Sequence, residues 1–141
     1  MVDRRRRAIA LTLAVAGSLS IGAVLAACGG SDGPKVTLSA AGKRGKAIAD
    51  TRGCVSCHSA GTDTRVGPGW AGLAGSTVTL DDGTKVTADD AYLRKAITDA
   101  RSEVVKGFNN LMPTYRNIPA NELADLIAYL HDLAPETAES S

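Results

Sequence analysis

Apolar positions along the chain change their period from segment to segment, and each period predicts a different element. Ala8 to Ala27 is an apolar run without a charged residue, preceded by Arg4 to Arg7; a basic start followed by such a run is the pattern of a secretory signal. From Ser39 to Thr51, Ala40, Ala41, Ala47, Ile48 and Ala49 recur at helical spacing and stop at Gly53, which predicts a short helix. Ser59 to Leu73 has no period and contains Gly67-Pro68-Gly69-Trp70, a loop. In STVTLDDGTKVT, alternating Val78, Leu80 and Val86 flank Asp82-Gly83, which predicts a hairpin within 76–87. Thr87-Ala88-Asp89-Asp90 then offers a helix start with an acidic first turn, and Leu93, Ala96 and Ile97 mark one helical face as far as about Ala100. A final helix runs from near Pro119 to about Leu133, with Leu123, Leu126, Ile127, Leu130 and Leu133 on its apolar face.

Composition changes this picture in one respect. In a chain of 141 residues the aromatic fraction is 4% while Gly numbers 15, which is sparse material for one domain core built from side chains alone. A large apolar cofactor at the centre would supply what is missing. Charge excludes a class of partner: the formal net charge is +1, and the first 27 residues supply +3 of it through Arg4 to Arg7 and Asp3, leaving −2 on the remainder. Nothing there forms a basic footprint for nucleic acid.

The apolar run ends Leu25-Ala26-Ala27-Cys28 and continues Gly29-Gly30-Ser31-Asp32-Gly33-Pro34. A small-residue site finishing in cysteine resembles the lipobox of bacterial lipoproteins, so residues 1–27 are expected to be a lipoprotein signal peptide and Cys28 to carry the lipid. Ordinary cleavage leaving a free thiol is one alternative, and an uncleaved membrane span is another. A free thiol outside the cell is a liability, and the polar, Gly-rich residues 28–38 suit a tether. As a flexible coil of about 11 residues it would reach roughly 15 to 20 Å. All three readings place the domain, residues 39–134, outside the cytoplasm, and the lipid would hold it at the extracytoplasmic face of the bacterial cell membrane; a polar tail follows at 135–141.

With Cys28 assigned to a lipid, the odd cysteine count leaves one pair, Cys54 and Cys57, in Cys54-Val55-Ser56-Cys57-His58. This is the attachment signature of a c-type heme. Two thiols add across the two vinyl groups of one porphyrin, and the next residue, His58, becomes the proximal ligand of its iron. A structural zinc site would need a fourth ligand from His131 or carboxylates. A thioredoxin-like pair would want a βαβ context. A plain disulfide, the remaining alternative, would explain neither His58 nor the sparse core.

The other axial ligand follows by elimination, since Met1 belongs to the signal and Met112 is the remaining methionine. It sits in GFNNLMPTYRN, Gly107 to Asn117, where Pro113 blocks helix and keeps Met112 extended. A lone methionine is commonly a core filler, but this one lies in a loop between two helical patterns. His131 is the competitor; it falls beside the apolar face near the end of the last helix, where a positive charge is favoured. A Met/His pair raises the reduction potential and fills both axial positions, which suits electron transfer.

From Ser39 to Leu133 the succession of helix, C-x-x-C-H, Gly-Pro loop, middle helix, Met-Pro loop and last helix resembles class I cytochromes c. The stretch from Tyr92 through VVKGFNNLMPTY to LIAYL is similar to the cytochrome c domain fused to subunit II of some heme–copper oxidases, and to small membrane-anchored bacterial cytochromes. The resemblance implies an all-α fold of three to four helices around one covalent, iron-bearing heme c, with a short β-hairpin insertion. It implies that Tyr129 packs on Gly45, that the Pro68 carbonyl accepts the free ring N–H of His58, and that Trp70 and Tyr115 donate to the heme propionates. Phe108 is expected to line the pocket. The hairpin departs from the shortest family members, and its expected role is to cover a heme edge.

A saturated iron leaves no place for a small-molecule substrate, so the expected function is a one-electron carrier and not an enzyme. The resemblance implies a quinol-oxidising cytochrome complex as donor and a terminal oxidase as acceptor. Arg65, Lys106 and Arg116 flank the heme motif and the Met112 loop, which would give a weakly basic docking face. Two other classes stay open. One is a heme subunit docked permanently in a respiratory complex, which co-purification would reveal. The other is a sensor or peroxidase with a labile Met112.

Overall fold

The computed structural model describes residues 36–134. The expected signal peptide, the lipid site Cys28, tether residues 29–35 and the tail 135–141 lie outside the described residues. Three α-helices, one 3-10 turn and one hairpin make up the fold: α1 Ala40–Thr51, the turn Cys54–Ser56, β1 Thr77–Thr79, β2 Lys85–Thr87, α2 Asp90–Thr98 and α3 Ala120–Asp132. Three helices and one short hairpin are the elements that the resemblance implies.

Helices α1 and α2 start where one of their first N–H groups finds a side-chain acceptor. Ser39 caps α1 by accepting from Gly42 N at 2.9 Å, and Asp89 caps α2 by accepting from Tyr92 N at 2.8 Å. Helix α3 follows Pro119, whose fixed φ prepares the first turn and whose carbonyl accepts from Leu123 N at 3.0 Å.

The frame is the contact between α1 and α3. Gly45 makes it close: a side chain there would run into the Asp125 carbonyl oxygen and come within 2.8 Å of Tyr129 Cβ. Polar ties follow the two helices in opposite order. Ser39 N and Oγ both donate to Asp132 Oδ2 at 2.8 Å. Arg44 grips Asp125 with two bonds, 2.8 and 2.7 Å, which holds that carboxyl below its ordinary range. Arg52 Nε donates to Glu122 at 2.9 Å. Such exposed pairs set the register of the helices more than they stabilise them.

Buried apolar side chains from α3 form one core cluster with Ala49 of α1, Trp70, Leu93 of α2, and Val78 and Leu80 of the hairpin. No large side chain among the described residues is completely buried. The apolar faces of α2 and α3 instead border a common cavity, as the sparse aromatic composition anticipates.

The hairpin is present, with Thr77 opposite Thr87 and Val78 opposite Val86, but it does not cover the cavity. No residue between Ala74 and Ala91 borders that space. Val78 and Leu80 turn into the protein core, because residues two apart on a strand share a face.

Candidate functional site

The cavity is built outward from the 3-10 turn. Gly53 ends the first helical segment in the left-handed region, φ +75°, where glycine is favoured. The chain then winds one tight turn in which Cys57 N and His58 N both donate to Cys54 O at 3.1 Å. Residues three apart on a 3-10 turn eclipse each other, so the C-x-x-C spacing brings both thiols to one side. Both are free, half-buried and on the cavity wall, and burial pushes the Cys54 thiol up.

His58 is held on three sides. Its Nδ1 lies 2.9 Å from Pro68 O. A carbonyl can only accept, so Nδ1 carries the proton and Nε2 keeps its lone pair. Trp70 stacks on the ring at 5.1 Å between centroids and 18° between planes, and Tyr129 meets Trp70 edge-on at 5.9 Å. Gly67 approaches so closely that an added Cβ would lie 2.8 Å from Nδ1 and 2.9 Å from Nε2. Burial disfavours the imidazolium and lowers the His58 pKa against the opposing pull of Pro68. The ring is therefore oriented, neutral and able to donate a lone pair to a metal.

Met112 reaches the cavity from the 107–117 loop, half-buried beside Leu111, Pro113 and Phe108. Cys54, Cys57, His58, Pro68, Trp70, Met112 and Tyr115 all border the one space. His131 does not; it lies at the protein surface, its Nε2 2.6 Å from Asp90 Oδ1. Tyr115 donates its hydroxyl to Arg52 O at 3.3 Å, so contact with a propionate would require it to leave that carbonyl. Trp70 packs against both His58 and Tyr129.

Several walls were not singled out in the sequence as parts of a site. Tyr92, Ile97 and Leu126 carry ordinary helical periodicity, and a helix face reads the same whether protein or a prosthetic group covers it. Gly67 had a signal, the Gly-Pro-Gly run, but only the fold shows that it faces His58.

The donor set and the walls fit a heme. Two thiols lie on one side of one turn, a neutral imidazole has a free Nε2, a thioether borders the same space, and the rest of the lining is largely apolar. A zinc site does not fit: among the described residues no group of three or more His, Cys, Asp or Glu side chains is placed to hold a metal ion. Gly67→Ala should displace the imidazole and lower stability by about 1–3 kcal/mol, because a methyl group there overpacks the ring. Chemical denaturation of the holoprotein, with the heme absorption followed in parallel, checks both effects.

The cytochrome c family model matches residues 42–134, a span that runs from the first turn of α1 through the end of α3. No curated protein matches the chain.

Proposed function

The chain belongs to the cytochrome c family, whose members carry c-type heme and act as electron carriers rather than enzymes, and from that premise we propose a membrane-tethered carrier with His58 and Met112 as axial ligands. The observation that carries this reading is one cavity bordered by both thiols, by His58 with its Nδ1 on the Pro68 carbonyl, and by Met112. Bound there, the heme supplies an iron that changes by one electron. Cys54 and Cys57 would hold it by thioether bonds, and Pro68 and Gly67 fix the ring of His58. The apolar walls exclude water, which disfavours the more highly charged oxidised state and raises the potential further.

Redox partners follow from the family role. The donor we assign is a quinol-oxidising cytochrome complex and the acceptor a terminal oxidase. Val66 and Leu111, 52% and 63% exposed, stand on the rim of the cavity and would meet an apolar patch on either partner. The basic contribution is small, since Arg116 lies 3.1 Å from Asp99.

A potentiometric titration tests the ligation. The wild type should give a one-electron curve, and Met112→Ala should shift its midpoint down by about 0.1–0.3 V, within the range of about 0.8 V that axial ligands command. An unchanged midpoint would remove Met112 from the iron. The tether rests on Cys28, for which the lipobox-like LAAC sequence is the support. Cys28→Ala should move the protein from the membrane to the soluble fraction after cell lysis, because several acyl chains at about 0.8 kcal/mol per buried methylene supply the anchoring. Retention of the variant in the membrane would favour an uncleaved span.

A further inference from the structure

The hairpin takes no part in lining the cavity, yet its open edge holds the segment that leads to Met112. Asp81 N donates to Val104 O at 2.8 Å, Lys106 N donates to Thr79 O at 2.9 Å, and Leu80 bridges Val105 in antiparallel fashion. Residues 104–106 thus lie antiparallel beside the end of β1, joined to it by one isolated bridge and its two flanking hydrogen bonds. Leu80 and Val78, 5% and 7% exposed, pin β1 to the core, so the strand that receives 104–106 does not move freely. The chain then turns at Gly107, φ +89°, and Phe108 N returns to Val105 O at 3.1 Å. Beyond Met112 the backbone is tied again where Tyr115 N donates to Ile97 O of α2 at 3.1 Å. Met112 hangs between these two attachments, and the upstream one is made by the hairpin.

We propose that the hairpin is a clamp on the Met112 loop, with the backbone N–H groups of Asp81 and Lys106 as its positioning contacts, so that it keeps the thioether in place. The proposal rests on Met112 being the axial ligand. Opening the loop to admit another ligand requires the 104–114 segment to shift, and each clamp bond opposes that shift. In this arrangement the insertion governs how readily an outside ligand displaces Met112, without touching the prosthetic group.

The test is imidazole titration of the ferric holoprotein, followed optically, beside urea unfolding followed by circular dichroism. Asp81→Pro and Lys106→Pro each delete one donor, and each should tighten imidazole binding roughly three- to tenfold, the worth of one hydrogen bond. Asp81→Asn keeps the N–H and should bind as the wild type does. Gly83→Ala strains the turn, where φ is +89°, and should shift affinity in the same direction by less; it carries the comparison if a proline variant yields no holoprotein. Ala124→Gly, on the exposed face of α3, is the control, since it should lower global stability by about 1 kcal/mol and leave imidazole affinity unchanged. Wild-type affinity in the clamp variants, or equal tightening in Ala124→Gly, overturns the proposal. If the wild type binds imidazole as tightly as Met112→Ala does, Met112 is not the ligand, and the ligation reading falls together with the clamp.

Discussion

Cys54→Ala combined with Cys57→Ala is expected to abolish covalent attachment. After expression in a host that attaches c-type heme, acidified acetone should strip all heme from the double variant and none from the wild type. The expectation follows from the turn at Cys54–Ser56, which brings two thiols to the same wall of one cavity with no other cysteine among the described residues. Without thioether bonds only His58 and Met112 would remain to hold the group, through coordination that competes with water. Loss of the group would also open the apolar walls from α2 and α3 to solvent, at about 25 cal/mol per Å² of apolar surface exposed. The double variant should therefore melt at lower temperature and bind a dye that reports exposed apolar surface. Heme retained through acid extraction would show that attachment does not run through these thiols.

Gly45→Val is expected to have the largest effect on stability. The new side chain would meet the Asp125 carbonyl, which is backbone inside α3 and cannot swing aside, and Tyr129 Cβ at 2.8 Å. The helices must part or the variant must not fold. Overpacking costs about 1–3 kcal/mol where side chains can yield and more where they cannot, so a loss of about 3 kcal/mol or more is expected. Against a total of about 5–15 kcal/mol for a small domain, that is a large fraction. The damage should reach the site, because Tyr129 packs edge-on against Trp70, and Trp70 stacks on His58. Gly53→Ala provides the contrast: at φ +75° but with nothing within 4 Å of an added Cβ, it should cost only about 1 kcal/mol through backbone strain. Urea midpoints for the two variants decide the matter, and equal midpoints would mean that the α1–α3 contact can relax around a side chain.

The parts of this molecule that could be read from sequence are those in which chemistry and spacing lie close together along the chain. C-x-x-C-H names its chemistry within five residues, and the helical period of Leu123, Leu126, Ile127 and Leu130 marks the face of α3 that the structure buries. Met112 stood out by elimination and by Pro113. What could not be read depends on which distant segment a residue meets. The Leu80–Val105 bridge joins segments 25 residues apart, and nothing in TVTLDDG says which strand will lie on its edge. The hairpin was accordingly expected over a heme edge, whereas Val78 and Leu80 take it into the core. Tyr115 offered a hydroxyl to a propionate on the strength of resemblance, and only the fold shows that this hydroxyl donates to Arg52 O within the protein.

On the proposed ligation, His58 and Met112 close both axial positions of one heme, which makes the protein a carrier. The most direct measurement is the optical spectrum of the holoprotein, oxidised and then reduced, with carbon monoxide added last. Such ligation should give a far-red ferric band in the wild type, its loss in Met112→Ala, and carbon monoxide binding in the variant alone. Ready binding of carbon monoxide by the wild type, or a ferric spectrum that Met112→Ala leaves unchanged, would contradict it.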